Sequence, residues 1–297
     1  MKYTIIIDGG LGRQICAIPA LEKFVDKNPD TIIVTHFWTS IFWGNPKLTD
    51  KVYDVNTKGL FKLIKDTKIF KPEPYYNNRY LNEEIHLIDA FNEEINGDQE
   101  KLSHPKIYLS DKEIKEARKY RGTRPLICLQ PFGSTAKFEN NDIIDGTARS
   151  LPKNLTLKLI ETLHKKYDLV LFDDREISFI DRKKFIQTPP MDCRNWAALI
   201  ANCNYFIGSD SAGQHIANSL NVPGLVFIGG TSAINTTYEG RLTVIKKSVQ
   251  RKYMHYRLCD FDYWLAELEN SNTLDFSENE CKDITKNILT VIEDSIR

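Results

Sequence analysis

This 297-residue sequence predicts an α/β fold in two halves, each built on a parallel sheet, on three observations. Short β-branched runs alternate with segments of helical period, which is the pattern of strands joined by helical crossovers. Each half opens with a strand followed by a loop of small residues. The length suits two domains of ordinary size.

The elements follow in order. "YTIII" at 3–7 is a β-branched run. Behind it, "GRQICAIPALEKFVDKN" carries Ile15, Ile18, Leu21, Phe24 and Val25 at helical spacing. "TIIVTHF", "KVYDV" and "KIYLS" predict further strands, and "DKEIKEARKYRG" a polar helix ending at Gly122. The boundary is placed in the polar stretch around Lys119–Arg124, giving a first domain over 1–120 and a second over 121–280. The second restarts with the strand and loop "RPLICLQPFGS", the amphipathic helix "NLTLKLIETLHKKYD", the strand "LVLFDD" and the helix "CRNWAALIANC". Then come the strand "YFIG", the helix "HIANSLN", the buried strand "VPGLVFIGG" and the strand "RLTVIKK". The amphipathic segment at the end predicts a helix over 281–297 that packs back towards the first domain.

Composition narrows the function classes. Apolar residues make up 41% and charged residues 27%, as in a globular chain with real cores. No apolar run approaches the roughly 20 residues of a membrane helix. "MKYTIIIDGG" lacks the form of a signal peptide, which predicts a cytoplasmic protein. The six cysteines are scattered with no C-x-x-C pair, so neither a disulfide framework nor a zinc site is indicated. Net charge is zero, and no global field recruits an anionic partner.

Three loops carry candidate chemistry. "DGGLGRQ" follows the first strand; Gly9, Gly10 and Gly12 let backbone approach a ligand or a neighbouring element, and Arg13 can meet an anion. It is neither a dinucleotide fingerprint nor a P-loop, and a plain strand-to-helix turn reads equally from it. "QPFGSTAKFENNDIIDGTARSLP" follows the strand "LICL". Backbone donors, the hydroxyls of Ser134 and Thr135, and Arg149 can cradle a phosphate, while its polar middle reads as a lid or an ordinary surface loop. "GSDSAGQHIANSLNVPGLVFIGGTS" runs from a strand into a helix start. Asp210 ends the strand, Ser211, Ala212 and Gly213 offer backbone amides, and His215 lies on the first helical turn. Helix starts at strand ends suit phosphates, although an N-capped helix with a packed histidine is the bland alternative.

The segment "AALIANCNYFIGSDSAGQHIANSLNVPGLVFIGGTS" resembles the donor site of the heptosyltransferase-like glycosyltransferases, family nine. "GGLGRQICAIPAL" is similar to that family's N-terminal glycine loop, and "QPFGS" with "ARSLP" to its phosphate loop, in family order across residues 8 to 230. The resemblance implies a GT-B fold, two doubly wound domains facing a central cleft. It implies transfer of a sugar from a nucleotide-diphosphate sugar to a hydroxyl with inversion, and no metal or other cofactor. Asp210 would then contact sugar or ribose hydroxyls. Ser211, Ala212, Gly213 and His215 would face the diphosphate, with Ser134, Thr135 and Arg149 completing the clamp. Where many members carry an acidic base after Gly-Leu-Gly, this chain has Arg13; Asp8 is the substitute base, with Glu93 and Asp89 as further candidates. The iron-binding cysteine cluster of some relatives would find only Cys259 and Cys281 here, too few for a four-ligand site.

Two basic stretches bear on the acceptor. Lys58, Lys62, Lys65 and Lys68 fall at helical spacing, and Lys246, Lys247, Arg251, Lys252 and Arg257 interleave with Tyr253 and Tyr256. Each reads as a solvated face or as a surface for an anionic acceptor. That acceptor would be an anionic glycan of the lipopolysaccharide type, or hydroxymethylated DNA of the kind bacteriophage enzymes decorate. A catalytically inactive nucleotide- or glycan-binding module is the alternative of another class.

Overall fold

The computed structural model describes residues 2–145, 147–247 and 274–296. It divides into two compact units, Met1–Asp111 and Lys112–Arg297. The division falls at the first residue of the helix Asp111–Ala117, whose remainder is tied into the second unit. Arg194 donates to Glu113 (2.5 and 2.8 Å) and Asn202 Nδ2 to the Ile114 carbonyl (3.1 Å).

In the first unit, strands β1 (Tyr3–Ile7), β2 (Ile32–Thr35), β3 (Val52–Asp54) and β4 (Lys68–Phe70) form a parallel sheet in the order β3-β2-β1-β4. Helix α1 (Leu11–Lys27) buries Ile15, Ile18 and Leu21, the face its period predicts, and packs on α4 (Leu87–Asn96). Between them in the chain lie α2 (Leu60–Ile64) and α3 (Asn78–Leu81). Two expectations are corrected here. The run 106–110 forms no strand. The fourth strand is instead Lys68–Phe70, taken from the stretch read as a helical lysine stripe. Thr67 breaks that helix: its hydroxyl bonds the Ile64 carbonyl (2.7 Å) and contacts the Thr4 hydroxyl (2.6 Å), so Lys68 starts a strand beside β1.

In the second unit, α5 (Asp111–Ala117) precedes β5 (Leu126–Gln130), and the five-stranded parallel sheet runs β11-β10-β9-β5-β8. Its other strands are β8 (Asp168–Leu171), β9 (Tyr205–Ser209), β10 (Gly224–Ile228) and β11 (Leu242–Lys246). β5, β9 and β10 are buried along their whole lengths, as near-continuous apolar runs in a two-sided sheet should be. Helices α6 (Lys153–Leu163), α7 (Cys193–Ala201), α8 (Ala212–Ser219) and α9 (Ala233–Thr236) connect them. The final helix, α10 (Glu278–Ile296), was expected to dock on the first domain. Its buried stripe of Cys281, Thr285, Ile288 and Ile292 faces α6 and the core of its own unit.

The polar middle of 130–152, read as a lid, is a hairpin of β6 (Lys137–Glu139) and β7 (Asp142–Ile144). Asn140 and Asn141 turn it with φ of 50° and 61°, the left-handed pair that a tight hairpin requires. Phe138 anchors it edge-on against Phe132 and Phe179. The second basic stretch lies outside the described residues from 248 onward, as does Cys259.

Candidate functional site

Open parallel sheets bind ligands beyond the carboxyl ends of their strands, where the strand order reverses direction. Both sheets here have such a point, and the loops singled out in the sequence converge on them.

In the second sheet the reversal falls between β5 and β9, where Gln130 pairs in register with Gly208. Gln130, which sequence reasoning assigned no role, organises this edge. Its Nε2 donates to the Ser211 hydroxyl (3.3 Å) and its Oε1 accepts the Gly213 amide (2.9 Å). The Gly213 amide, one of the three expected at a diphosphate, is thus bonded within the protein. A side chain at 213 would collide with Gln130 and the Phe206 ring, so only glycine lets α8 start this close to the sheet. Asp210 is 4% exposed. One carboxylate oxygen accepts from Gln214 (2.5 Å) and the other from Thr231 at the end of β10 (2.6 Å). Asp210 thus braces the loop after β9 against the loop after β10. Ser211 and Ala212 are half-buried at the start of α8.

The phosphate-loop candidate is built around a residue missed in the sequence, Asp145. It is fully buried and accepts from Thr135 Oγ1 (3.0 Å), from Thr147 N and Oγ1 (2.9 and 2.6 Å) and from Ser150 N and Oγ (2.9 and 2.5 Å). Burial alone would raise this carboxyl; the Ser150 and Thr147 hydrogen bonds and the Arg149 charge outweigh it and hold it below the usual range. The signal was present in "DGT", since an Asp bonding the amide two residues on is an Asx turn. Ser150 in turn takes the Gly133 amide (2.9 Å). Thr135, expected at a phosphate, gives its hydroxyl to this internal network, while Ser134 is exposed. The network presents Arg149. Its Nε donates to Thr147 (2.9 Å), and its Nη1 reaches the Asp210 carbonyl (3.5 Å), placing the guanidinium beside the start of α8. Gly230 closes the same corner. Its amide bonds the Ala148 carbonyl (3.1 Å), and an added Cβ would overlap the Thr147 carbonyl oxygen.

His215 is buried with its Nδ1 2.8 Å from the Tyr238 hydroxyl. Burial pushes its imidazole down to about 4; Asp210 pulls it up and Arg149 presses it further down. At neutral pH it is an uncharged hydrogen-bonding group. Below about pH 6.5 the unfolded chain takes a proton that the folded chain refuses until near pH 4. Stability from this residue is full above that window and falls through it, by about 3 kcal/mol in all. Urea midpoints measured from pH 7 to pH 4.5 should fall more steeply for the wild type than for His215→Gln; parallel curves would refute this.

In the first sheet the order reverses between β1 and β4. Asp8, just past β1, pairs with Lys71, just past β4, at 2.8 Å. Arg13 completes the cluster from α1. It is buried, 3.3 Å from Asp8, donates to Glu73 (2.6 Å) and the Pro72 carbonyl (3.1 Å), and lies 4.7 Å over the Tyr75 ring. Burial opposes its charge, but Tyr75, Glu73 and Asp8 raise its pKa on balance. Arg13, expected to meet an anion, is thus paired with the protein's own acids Asp8 and Glu73. Gly9, at φ 84°, curls the loop over the Arg13 side chain. Gly10 caps α1 and Gly12 lies in its first turn. Gln14 ties this loop to the end of β2 through the Gly9 and His36 carbonyls (3.3 and 3.1 Å). The other base candidates are hydrogen-bonded within the first unit. Asp89 accepts the Leu102 amide (3.0 Å), and Glu93 holds Asn77 (2.7 Å) and Arg79. Among the described residues no group of three or more His, Cys, Asp or Glu side chains gathers to hold a metal ion.

Residues 180–262 match the family model described as Glycosyltransferase family 9 (heptosyltransferase). No curated protein matches the chain in sequence. Among solved structures, the E. coli ADP-heptose lps heptosyltransferase II is similar over 100% of both chains, with TM-score 0.66 and 13% identity. A family 9 glycosyl transferase from Veillonella parvula DSM 2008 aligns over 99% of this chain and 97% of its own, with TM-score 0.69 and 14% identity. The dodecameric iron-containing heptosyltransferase TibC, in complex with ADP-D-beta-D-heptose, aligns over 100% of this chain and 76% of its own, with TM-score 0.64 and 11% identity. The fold is the GT-B fold of these structures.

Proposed function

We propose that the chain transfers a sugar from a nucleoside-diphosphate sugar to an acceptor hydroxyl, with inversion and without a metal ion. One observation carries the reading: Arg149 is held 3.5 Å from the Asp210 carbonyl, beside the start of α8, at the switch point of the second sheet. A cation and a helix N-terminus aimed at one place suit a diphosphate. In the reaction the acceptor oxygen attacks the anomeric carbon, and the bond from that carbon to the β-phosphate oxygen breaks. The electron pair stays on the diphosphate, whose negative charge grows. Arg149 and the amides of Ser211 and Ala212 stabilise that charge, and Ser134 lies exposed on the neighbouring loop to add a hydroxyl. Neutral His215 and buried Asp210 hold the loops in place. The acceptor proton goes to a carboxylate, for which Asp8 is the assignment; Arg13 positions it.

ADP-heptose is the first donor to try, because TibC has been seen with ADP-D-beta-D-heptose and the E. coli WaaC with ADP. The acceptor is taken to be an anionic glycan. Calorimetric titration with ADP, UDP, GDP and CDP tests the donor site, with ADP expected to bind preferentially. Absence of binding by all four would overturn the reading. Transfer that persists after chelator treatment is the expected result for the metal-independent mechanism.

A further inference from the structure

The chain leaves β2 through a strained turn whose central side chain gains no burial. The Trp38 amide donates back to the His36 carbonyl (3.0 Å), and Phe37 between them has φ 68°. A hydrogen bond closed across one left-handed residue makes the rare and strained form of γ-turn. Elsewhere in this protein such φ values fall on residues like Gly59, Gly97, Asn140 and Asn221, which tolerate them. A bulky phenylalanine does not. The surrounding structure enforces the turn, because buried Gln14 donates to the same His36 carbonyl (3.1 Å). The His36 ring covers one face of Phe37, with centroids 3.6 Å apart and planes within 25°. Phe37 is 74% exposed, so its other face is open to solvent.

The turn stands beside Asp8. Ile7 pairs in register with Thr35, so Asp8 and His36 leave the sheet as neighbours. The Gln14 amide spans the two exits, donating to the Gly9 carbonyl as well (3.3 Å). Strain that the fold enforces at a strand end, without packing in return, marks a functional position. We propose that Phe37 is the platform on which the acceptor sugar stacks: the C–H face of the sugar ring lies on the open face of Phe37, and its hydroxyl is presented to Asp8. The inference rests on the transfer reading above for the role of Asp8. Sugar C–H groups, polarised by their oxygens, suit the electron-rich face of an aromatic ring. A nucleobase would also stack on such a ring. The charges favour the sugar. Asp8 and Asp54 stand at the ends of β1 and β3 on either side of the turn, and Lys71 and Arg13 are already paired with Asp8. This edge is not the positive track that a nucleic acid backbone requires.

The test is saturation-transfer NMR on the full chain without nucleotide. The probes are the methyl glycosides of glucose, galactose and mannose, with a thymidine oligonucleotide for comparison. The wild type is expected to saturate the C–H protons along one face of at least one sugar ring. Phe37→Ala should weaken that signal about fivefold or more, and Phe37→Tyr should keep it. Phe37→Gly should lose the signal while its thermal midpoint stays at or above that of the wild type, because glycine adopts the turn without strain. Absence of transfer to all three glycosides would overturn the proposal. So would an unchanged signal in Phe37→Ala, a lost one in Phe37→Tyr, or transfer to the oligonucleotide alone. A lowered midpoint in Phe37→Gly would also overturn it, since the ring would then be there for stability. ADP calorimetry on the same preparations reads the donor site separately. Sugar binding without ADP binding would count against the donor reading and leave this inference standing; ADP binding without sugar binding would overturn this inference alone.

Discussion

Asp145→Ala is expected to destabilise the second unit by about 3–5 kcal/mol and to abolish nucleotide binding. Removing the carboxylate leaves the hydroxyls of Thr135, Thr147 and Ser150 and the amides of Thr147 and Ser150 without their acceptor in a dry site. Unpaired buried donors cost more than the hydrogen bonds were worth, which is why the loss is large for one small side chain. The same network fixes Thr147, the residue that holds Arg149. Asp145→Asn keeps one acceptor oxygen but turns an amide towards donors, and should fall between the two. The measurement is a urea titration followed by circular dichroism, paired with calorimetry of ADP. A wild-type midpoint in Asp145→Ala would show that the network is replaceable.

Arg149→Ala is the counterpart at the chemical step. Its guanidinium is presented by Thr147 and stands at the start of α8, so removing it takes away the side-chain cation assigned to the leaving diphosphate. Loss of one such transition-state group costs roughly 10²–10³ in turnover. Arg149→Lys keeps the charge but not the fork that uses Thr147 and the Asp210 carbonyl together, and recovery should be partial. The effect should appear in kcat more than in KM, because the diphosphate charge grows as the glycosidic bond breaks. Turnover within tenfold of wild type for Arg149→Ala would remove Arg149 from the mechanism.

The sequence was informative where local pattern and global fold agree. β1, β5, β9 and β10 are apolar or β-branched runs, and α1 and α6 repeat their apolar positions at helical period. It misled where one side-chain bond decided between states. Lysines at helical spacing suggested a continuous helix, and the Thr67 hydroxyl ended it. The hairpin at 137–144 was written in Asn140-Asn141, but its polar surface masked the two short strands. At the site, the loops were legible and the connections between them were not. Gln130 reaches Gly213 over 83 positions, and Arg13 reaches Glu73 over 60. Such distant pairings leave no local trace, so the partners of Gly213 and Arg13 could not be read from the sequence.

The Arg13 cluster also restricts how this protein can change. Arg13 and Lys71 balance Asp8 and Glu73 in a site where Arg13 is almost wholly shielded from water. Exchanging Arg13 for the acidic residue that the family resemblance places there would set three carboxylates against one lysine, and the like charges would repel across the end of β1. Gain of the acid requires loss of another acid in the same step, or before it. Position 13 is therefore coupled to positions 8 and 73: Arg13→Asp should be tolerated better together with Glu73→Gln than alone.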